Sequence, residues 1–179
     1  MARDPEGRRL RILEAACALI AETGVGALTH RAVAARAGVP VGATTYYFAT
    51  LDELATSAIA HAAELAAGEA RLWQEAIAAA EDVPATVAAL IADYLADHRP
   101  WSLIEHELYV AAAHRPELRP MAIAWSDGTT AALSPRVGPA AARAVTVFLD
   151  GVMLDALVRD APVDADFLAR AVAALMGLD

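Results

Sequence analysis

Residues 28–48, LTHRAVAARAGVPVGATTYYF, decide the fold of this 179-residue chain. Thr29 has the side chain of a helix N-cap and predicts a short helix over residues 30–37 that ends at Gly38. Pro40 can open a second short helix over residues 40–47. Two short helices joined by the tight Gly38-Val39 turn are typical of a helix-turn-helix.

Helix signals continue on both sides of this segment. Asp4-Pro5 predicts an N-cap followed by proline at the first helical position, and the helix that it starts ends at Gly24. Thr50 and Glu53 have the capping-box pattern, which starts a long helix to about residue 80. No segment alternates as a strand does, so the chain is predicted to be all-α. Further helices are expected over about 83–98, 101–114, 116–133 (where Asp127-Gly128 could interrupt), 139–160 and 164–176, with a loop over 134–139.

Composition excludes several classes of protein. Apolar residues make up 58% of the chain and charged residues 21%, which does not fit a disordered chain. Cys17 is the only cysteine, so neither a disulfide framework nor a cysteine-based zinc site can form within the chain. No signal-peptide pattern and no apolar stretch of about 20 residues is found. We therefore expect a cytoplasmic protein without a membrane partner.

Charge is distributed unevenly along the chain, whose net charge of −9 argues against a general nucleic-acid coat. Residues 1–50 carry six Arg and four acidic residues, whereas residues 51–179 carry eight Arg and nineteen acidic residues. We call the basic amino-terminal part the head and the acidic remainder the body; this distribution is expected if only the head contacts an anionic partner. A chance fluctuation is the alternative, because the excess of positive charge in the head is small.

The block 28–48, followed by Leu51-Asp-Glu-Leu54, resembles the N-terminal domain of TetR-family transcriptional repressors. The resemblance extends over about residues 8–55. It implies an N-terminal three-helix helix-turn-helix DNA-binding domain over 1–49, followed by a larger helical ligand-binding and dimerisation domain over 50–179. Two positions depart from the family: Leu51 replaces the usual phosphate-binding Lys, and Thr45 replaces a Tyr. Phosphate affinity is then weaker, or is shifted to Arg31 and Arg36.

A recognition helix in the major groove needs short side chains, and this one has them. Threonine methyls can touch thymine methyls, and tyrosine hydroxyls can reach phosphates. Phe48 is instead expected in the core of the head, and Arg8, Arg9 and Arg11 could track the DNA backbone or a minor groove. The candidate DNA contacts are Thr29, Arg31, Val41, Gly42, Ala43, Thr44, Thr45, Tyr46 and Tyr47.

The resemblance places a ligand cavity among the later helices. Trp101, Glu105 and Tyr109 lie at i, i+4 and i+8, on one face of one helix. A carboxylate on an aromatic row could bind a cationic or hydroxylated ligand. The alternative is a salt bridge from Glu105 to an Arg or His of a neighbouring helix. Trp125 is the fourth predicted ligand contact; Tyr94, Trp73 and Met121 are further candidates for the lining.

In the family, the last two helices form a dimer interface. Two amphipathic helices with small residues suit a symmetric four-helix bundle, whereas ordinary packing within one chain is the alternative. The predicted interface residues are Val147, Phe148, Gly151, Leu154, Leu168, Val172 and Leu175.

Together these features predict a homodimeric, ligand-responsive repressor that binds a palindromic double-stranded DNA operator and is released by a small-molecule inducer of unknown identity. No catalytic residue, cofactor or metal site is predicted. His106-Glu107 begins a metalloprotease-like pattern, but Val110 stands where the second histidine is needed. The alternative function is a helical dimeric small-molecule-binding protein without specific DNA binding.

Overall fold

The computed structural model describes residues 5–177, apart from the side chains of residues 66, 67, 69 and 70. Every regular element in this range is helical, which confirms the predicted all-α class. The predicted N-cap Asp4 lies outside the described residues. The helices are α1 (Pro5–Thr23), α2 (His30–Ala37), α3 (Val41–Tyr47), α4 (Leu51–Ala79), α5 (Val83–Asp97), α6 (Arg99–His114), α7 (Arg119–Val137), α8 (Pro139–Arg159) and α9 (Ala165–Met176), with 3₁₀ turns at Val25–Ala27 and Pro116–Leu118.

Side-chain caps set the starts of the helices where the sequence predicts them. The Thr29 hydroxyl accepts a hydrogen bond from the Ala32 amide (3.1 Å), which starts α2. The Thr50 hydroxyl accepts from the Glu53 amide (3.1 Å), which starts α4. Each such bond satisfies a backbone donor that has no partner within its helix. Gly38 ends α2 at φ 64°, a left-handed conformation that glycine adopts without steric cost.

The carboxyl end of α7 differs from the prediction. Residues 134–139 were expected to form a loop, but α7 continues through Pro135 to Val137 and only Gly138 separates it from α8. Arg136 holds this last turn, because its guanidinium donates hydrogen bonds to carbonyl groups at the end of α4 (2.9–3.3 Å). Leu133, one turn earlier, is fully buried. These tertiary contacts offset the local penalty for proline within a helix.

Two apolar clusters form the core. The first joins α1, α2 and the start of α4 to α6, and Phe48 lies in it as the sequence predicts. The second joins the end of α4 to α5, α7, α8 and α9. Because α4 and α6 contribute to the first cluster and also border the helices of the second, they connect the amino-terminal helices to the rest of the chain.

Candidate nucleic-acid interface, ligand chamber and dimer face

The outward face of α3 is open to solvent. Val41, Thr45 and Tyr46 are exposed, and the Tyr46 side chain reaches 83% exposure. A side chain added at Gly42 would meet no atom within 4 Å, so the backbone itself is accessible there. This face is therefore short-chained except for Tyr46, as a helix that enters a DNA groove requires.

Thr44 does not belong to this face, which corrects its prediction as a DNA contact. Its side chain is 0% exposed, and its hydroxyl donates to the carbonyl of Val41 (2.7 Å). The same oxygen lies 3.2 Å from Nδ1 of His30. Since the hydroxyl proton is used on Val41, Nδ1 of His30 is the donor of the second bond. Thr44 therefore fixes α3 against α2.

The remaining residues of α3 lie between the surface and the core. Ala43 is half-buried, and Tyr47 is half-buried against the first core cluster. The Tyr46 and Tyr47 rings meet edge to face, with centroids 5.1 Å apart. The Arg9 guanidinium lies over the buried Phe48 ring, 5.3 Å from its centroid. Arg9 thus packs on the head rather than standing free beside it.

Of the two arginines expected to contact phosphate near α3, only Arg31 lies free of an ion pair among the described residues. Thr29 and Arg31 are exposed at the first turn of α2. Arg36 instead forms a bidentate ion pair with Glu22 of α1, with both N–O distances at 2.6 Å. This pair lowers the pKa of Glu22. Arg36 is consequently engaged within the head, whereas Arg31 and Leu51 are both exposed.

Two small chambers lie between α4, α5, α6, α7 and α8. The first has a volume of about 50 Å³ and the second about 10 Å³. Trp125 and Glu105 line both chambers, whereas Trp101 lines only the second. Tyr109 lines neither chamber, so its prediction as a cavity residue is wrong. Of the further candidates, Tyr94 and Trp73 line the first chamber, whereas Met121 lines neither.

Glu105 is the most unusual side chain in this region. It is 8% exposed, and the indole nitrogen of Trp125 donates a hydrogen bond to its Oε1. Its Oε2 is buried without a hydrogen-bond partner. Among the described residues no Arg or His pairs with it, so the alternative of a salt bridge is not found. Burial raises the pKa of Glu105 to about 8, opposed by the Trp125 bond and assisted by the nearby Asp150.

Asp150 of α8 is a chamber residue that sequence reasoning missed. It lines the first chamber together with Glu105. Burial raises the pKa of Asp150, while the nearby side chains of His106, Arg143 and Tyr109 oppose this rise. Tyr109 lies outside the chamber lining and interacts electrostatically with Asp150. No spacing motif in α8 marks Asp150, because its role depends on how α8 packs against α6.

An apolar stripe on α8 faces solvent. Val147, Gly151, Leu154 and Val158 are all exposed at helical spacing, and Val158 reaches 78% exposure. On α9, Leu175 and Phe167 are exposed as well, and Phe167 was not predicted. We call these six residues the α8–α9 face. A contiguous exposed apolar patch of this kind is uncommon on a monomeric protein and is typical of an interaction surface.

Two predicted interface residues lie elsewhere. Leu168 and Val172 are fully buried in the second core cluster, so they pack within their own chain. Phe148 is half-buried against the same cluster and borders a groove between α8 and α9. The apolar residues of α9 lie on two faces, one buried in the chain's own core and one exposed, and the prediction assigned residues of both faces to the dimer.

Membrane-spanning helices and metal-binding clusters are both absent from the described part of the chain. No helix there is long and apolar enough to cross a membrane. Nor does any group of three or more His, Cys, Asp or Glu side chains within it lie in an arrangement that could hold a metal ion.

The chain matches models of known families over most of its length. Residues 12–58 match the model described as bacterial regulatory proteins, tetR family, and residues 78–178 match the tetracyclin repressor-like C-terminal domain. No curated protein sequence gives a significant match.

Solved structures share the whole fold. A member of the TetR family from Streptomyces coelicolor A3, SCO1917, is 39% identical, with a TM-score of 0.80 over 94% of this chain and 97% of that chain. The multidrug binding protein EbrR complexed with ethidium is 40% identical, with a TM-score of 0.79 over 97% and 99%. EbrR complexed with proflavin is 37% identical, with a TM-score of 0.71 over 94% and 99%. This chain is therefore a member of the TetR family of transcriptional regulators.

Proposed function

We propose that this protein is a repressor that binds a palindromic DNA operator as a homodimer, and that a small-molecule inducer releases it from DNA. The observation that carries the proposal is the open face of α3 on a head whose core is continuous with chamber-bearing helices. In domain terms, residues 1–49 would read DNA, and residues 50–179 would bind the ligand and the second copy.

The head offers two kinds of DNA contact. Val41, Gly42 and Thr45 would approach base edges, because all three are exposed and a Cβ added at Gly42 would meet no described atom within 4 Å. Tyr46 and Arg31 are placed to contact phosphates on either side. Thr29 can add a phosphate contact at the amino-terminal end of α2. Ala43 and Tyr47 are half-buried, so their contacts would be limited to the edge of the groove.

A second copy of the chain would supply a second recognition helix. One short recognition helix contacts only a few base pairs, whereas a two-fold dimer reads two half-sites about one or more helical turns apart. The α8–α9 face supplies an apolar surface for a four-helix interface, with Val147, Gly151 and Leu154 at its centre. Phe148 and Leu175 would border that interface.

The link between ligand and DNA would run through α4 and α6. Glu105 places α6 in the chamber wall, and Glu107 of the same helix approaches Gly24 at the end of α1. Arg115, just after α6, forms an ion pair with Asp52 at the start of α4 and donates a hydrogen bond to Thr56 (3.3 Å). A ligand that shifts α6 would thus change the position of the head. Linkage requires that ligand and operator weaken each other's binding by the same factor.

The test is a gel-shift titration of the purified protein against the intergenic DNA that flanks its own gene. A salt series and random competitor DNA measure specificity, and Tyr46→Phe is compared with the wild type. We expect a specific shift that weakens with salt, and about a tenfold loss for Tyr46→Phe at unchanged melting temperature. Binding no tighter than to random DNA, across a genomic library of fragments, would contradict the repressor function.

A specific observation favours the alternative of a dimeric ligand-binding protein without operator binding. Leu51, at the start of α4, is 37% exposed where the family usually has a phosphate-binding Lys. Arg36, which could have compensated, is paired with Glu22. Replacing Leu51→Lys adds a phosphate contact and should strengthen binding to operator and random DNA alike. The two functions then differ in the ratio of these affinities: a repressor keeps its preference for the operator, whereas a protein without operator binding shows none.

A further inference from the structure

Two carboxylates line one small chamber. Glu105 of α6 and Asp150 of α8 both contribute to the first chamber, and no basic side chain from the described residues lines either chamber. A buried carboxylate without a counter-charge costs stability, because the interior solvates the charge poorly. Acids perturbed in this way within a cleft are candidates for functional groups.

The two oxygens of Glu105 are in different situations. Trp125 donates to Oε1, so this oxygen is already satisfied as an acceptor. Oε2 is buried and has no partner. In the neutral acid the proton is then on Oε2, where no acceptor receives it. Burial raises the pKa of Glu105 to about 8, so the folded protein keeps this proton at neutral pH.

The rest of the lining suits a flat organic cation. Trp73 and Tyr94 meet edge to face with centroids 5.4 Å apart, and Trp125 completes an aromatic wall. Aromatic faces attract cations that have been removed from water. The present volume of about 50 Å³ is far below the roughly 300–1,000 Å³ of drug-sized sites, so the chamber must widen when a ligand enters. Trp125 lines both chambers, and movement of its indole would join them.

We infer that the chamber binds an organic cation whose positive charge takes the place of the proton on Glu105 Oε2, so that one proton is released to solvent for each cation bound. The exchange conserves charge inside the chamber: one positive charge enters and one leaves. Trp125 is a positioning residue in this scheme, because its hydrogen bond to Oε1 fixes the Glu105 carboxyl group so that Oε2 points away from the indole. The inference rests on the proposed ligand-binding role of these helices.

Other ionisable groups around Glu105 set how strongly this exchange depends on pH. From α8, Asp150 faces it and favours its neutral form. From α5, Tyr94 lines both chambers, and on α6 itself Tyr109 interacts with it. His106 and Arg143 act on Asp150 rather than on Glu105. From α4, the chamber residues Trp73, Gln74 and Ile77 do not ionise.

Calorimetry of the full-length protein with ethidium tests the exchange. Ethidium carries a permanent charge, so a released proton cannot come from the probe. Titrations at pH 7 in buffers of different ionisation enthalpy give the number of protons released per cation. Phenanthridine, a neutral ring system of related shape at this pH, is the matched ligand. Glu105→Gln removes the ionisable group, and Glu64→Gln makes the same change at an exposed position on α4.

We expect wild type and Glu64→Gln to release close to one proton with ethidium and none with phenanthridine. Glu105→Gln should release none and bind ethidium at least tenfold more weakly, with its fold checked by circular dichroism. Wild-type affinity should rise about tenfold per pH unit from pH 6 to 7.5. Ethidium binding without proton release, unchanged affinity in Glu105→Gln, or no ethidium binding by the folded protein would each overturn the inference.

The result separates this inference from the proposed function. Proton release with ethidium in a protein that binds no operator would leave the cation site standing and the repressor function wrong. Specific operator binding in a protein that binds ethidium without proton release would support the repressor function and contradict the proton exchange at Glu105.

Discussion

The indole nitrogen of Trp125 on α7 donates a hydrogen bond to Oε1 of Glu105 on α6, which joins the two helices at the wall shared by both chambers. Two residues further along α6, Glu107 approaches Gly24 at the end of α1. One helix therefore touches the chamber with one side chain and the amino-terminal head with another. A change at Glu105 has a short physical path to the head through α6.

Replacing Glu105→Gln should change how stability depends on pH. The folded-state pKa of about 8 lies above the ordinary value of 4.5, so between these values the folded protein holds a proton that the unfolded chain has lost. The contribution of Glu105 is therefore most favourable below about pH 4.5, and it is lost as pH rises through about 8. Thermal melts at pH 5, 7 and 9 should show Glu105→Gln gaining on the wild type as pH rises. Parallel melting curves for the two proteins would contradict this, and Glu64→Gln is the control.

The adjacent threonines Thr44 and Thr45 on α3 should differ in how much stability they lose on substitution by valine. Thr44→Val keeps the shape of a buried side chain but leaves the Val41 carbonyl and His30 Nδ1 without their bonds. We expect a loss of about 1–2 kcal/mol in the free energy of unfolding. Thr45→Val lies on the exposed face and should change stability by less than about 0.5 kcal/mol.

Urea unfolding followed by circular dichroism measures both variants. Operator affinity gives the second readout, because Thr45→Val should alter sequence preference and Thr44→Val should not alter it once the protein is folded. Equal stability losses would mean that the hydroxyl of Thr44 does not fix α3 as the structure indicates.

Local chemistry made most helices predictable from the sequence. The caps at Thr29, Thr50, Asp82 and Asp164 each depend on a side chain and an amide three residues later, so the local sequence contains the whole interaction. The loop predicted over 134–139 failed for the opposite reason. Arg136 stabilises that turn through carbonyl groups more than fifty residues away, and no local pattern reports such contacts.

The site residues also divide into those that local sequence predicts and those that depend on contacts between distant parts of the chain. The exposed face of α3 follows from its short side chains, but the burial of Thr44 depends on His30, fourteen residues earlier on another helix. Glu105 was conspicuous because it interrupts an aromatic row. Asp150 was not conspicuous, because a single acidic residue on an amphipathic helix is common and only the packing of α8 half-buries it at the chamber. Leu168 and Val172 show that apolar periodicity identifies a buried face without naming its partner.

A charge on the α8–α9 face should prevent dimer formation while leaving the chain folded. Leu154 is exposed on this face, so Leu154→Glu costs little within one chain but places a charge at the centre of the proposed interface. Sedimentation velocity over a range of concentrations should show a dimer for the wild type and a monomer for the variant. Ile123→Glu, an exposed apolar position on α7, is the control and should remain dimeric. Loss of the dimer in both variants would move the interface away from α8 and α9.

Two nearby glycines should differ sharply in their tolerance of alanine, because only one of them touches α6. Gly24 has φ 77°, and a Cβ there would lie 3.2 Å from Oε1 of Glu107. Gly26 has no such conformation, and its Cβ would meet nothing within 4 Å. Gly24→Ala should therefore lower stability by about 1 kcal/mol or more, or about 2–4 °C in melting temperature for each kcal/mol, while Gly26→Ala should be close to neutral. The double variant Gly24→Ala/Glu107→Ala isolates the contact with α6: it should recover the part of the loss that comes from crowding and keep the part that comes from the backbone. If Glu107→Ala recovers nothing, the carboxylate moves aside without cost, and α1 is coupled to α6 through the apolar core alone.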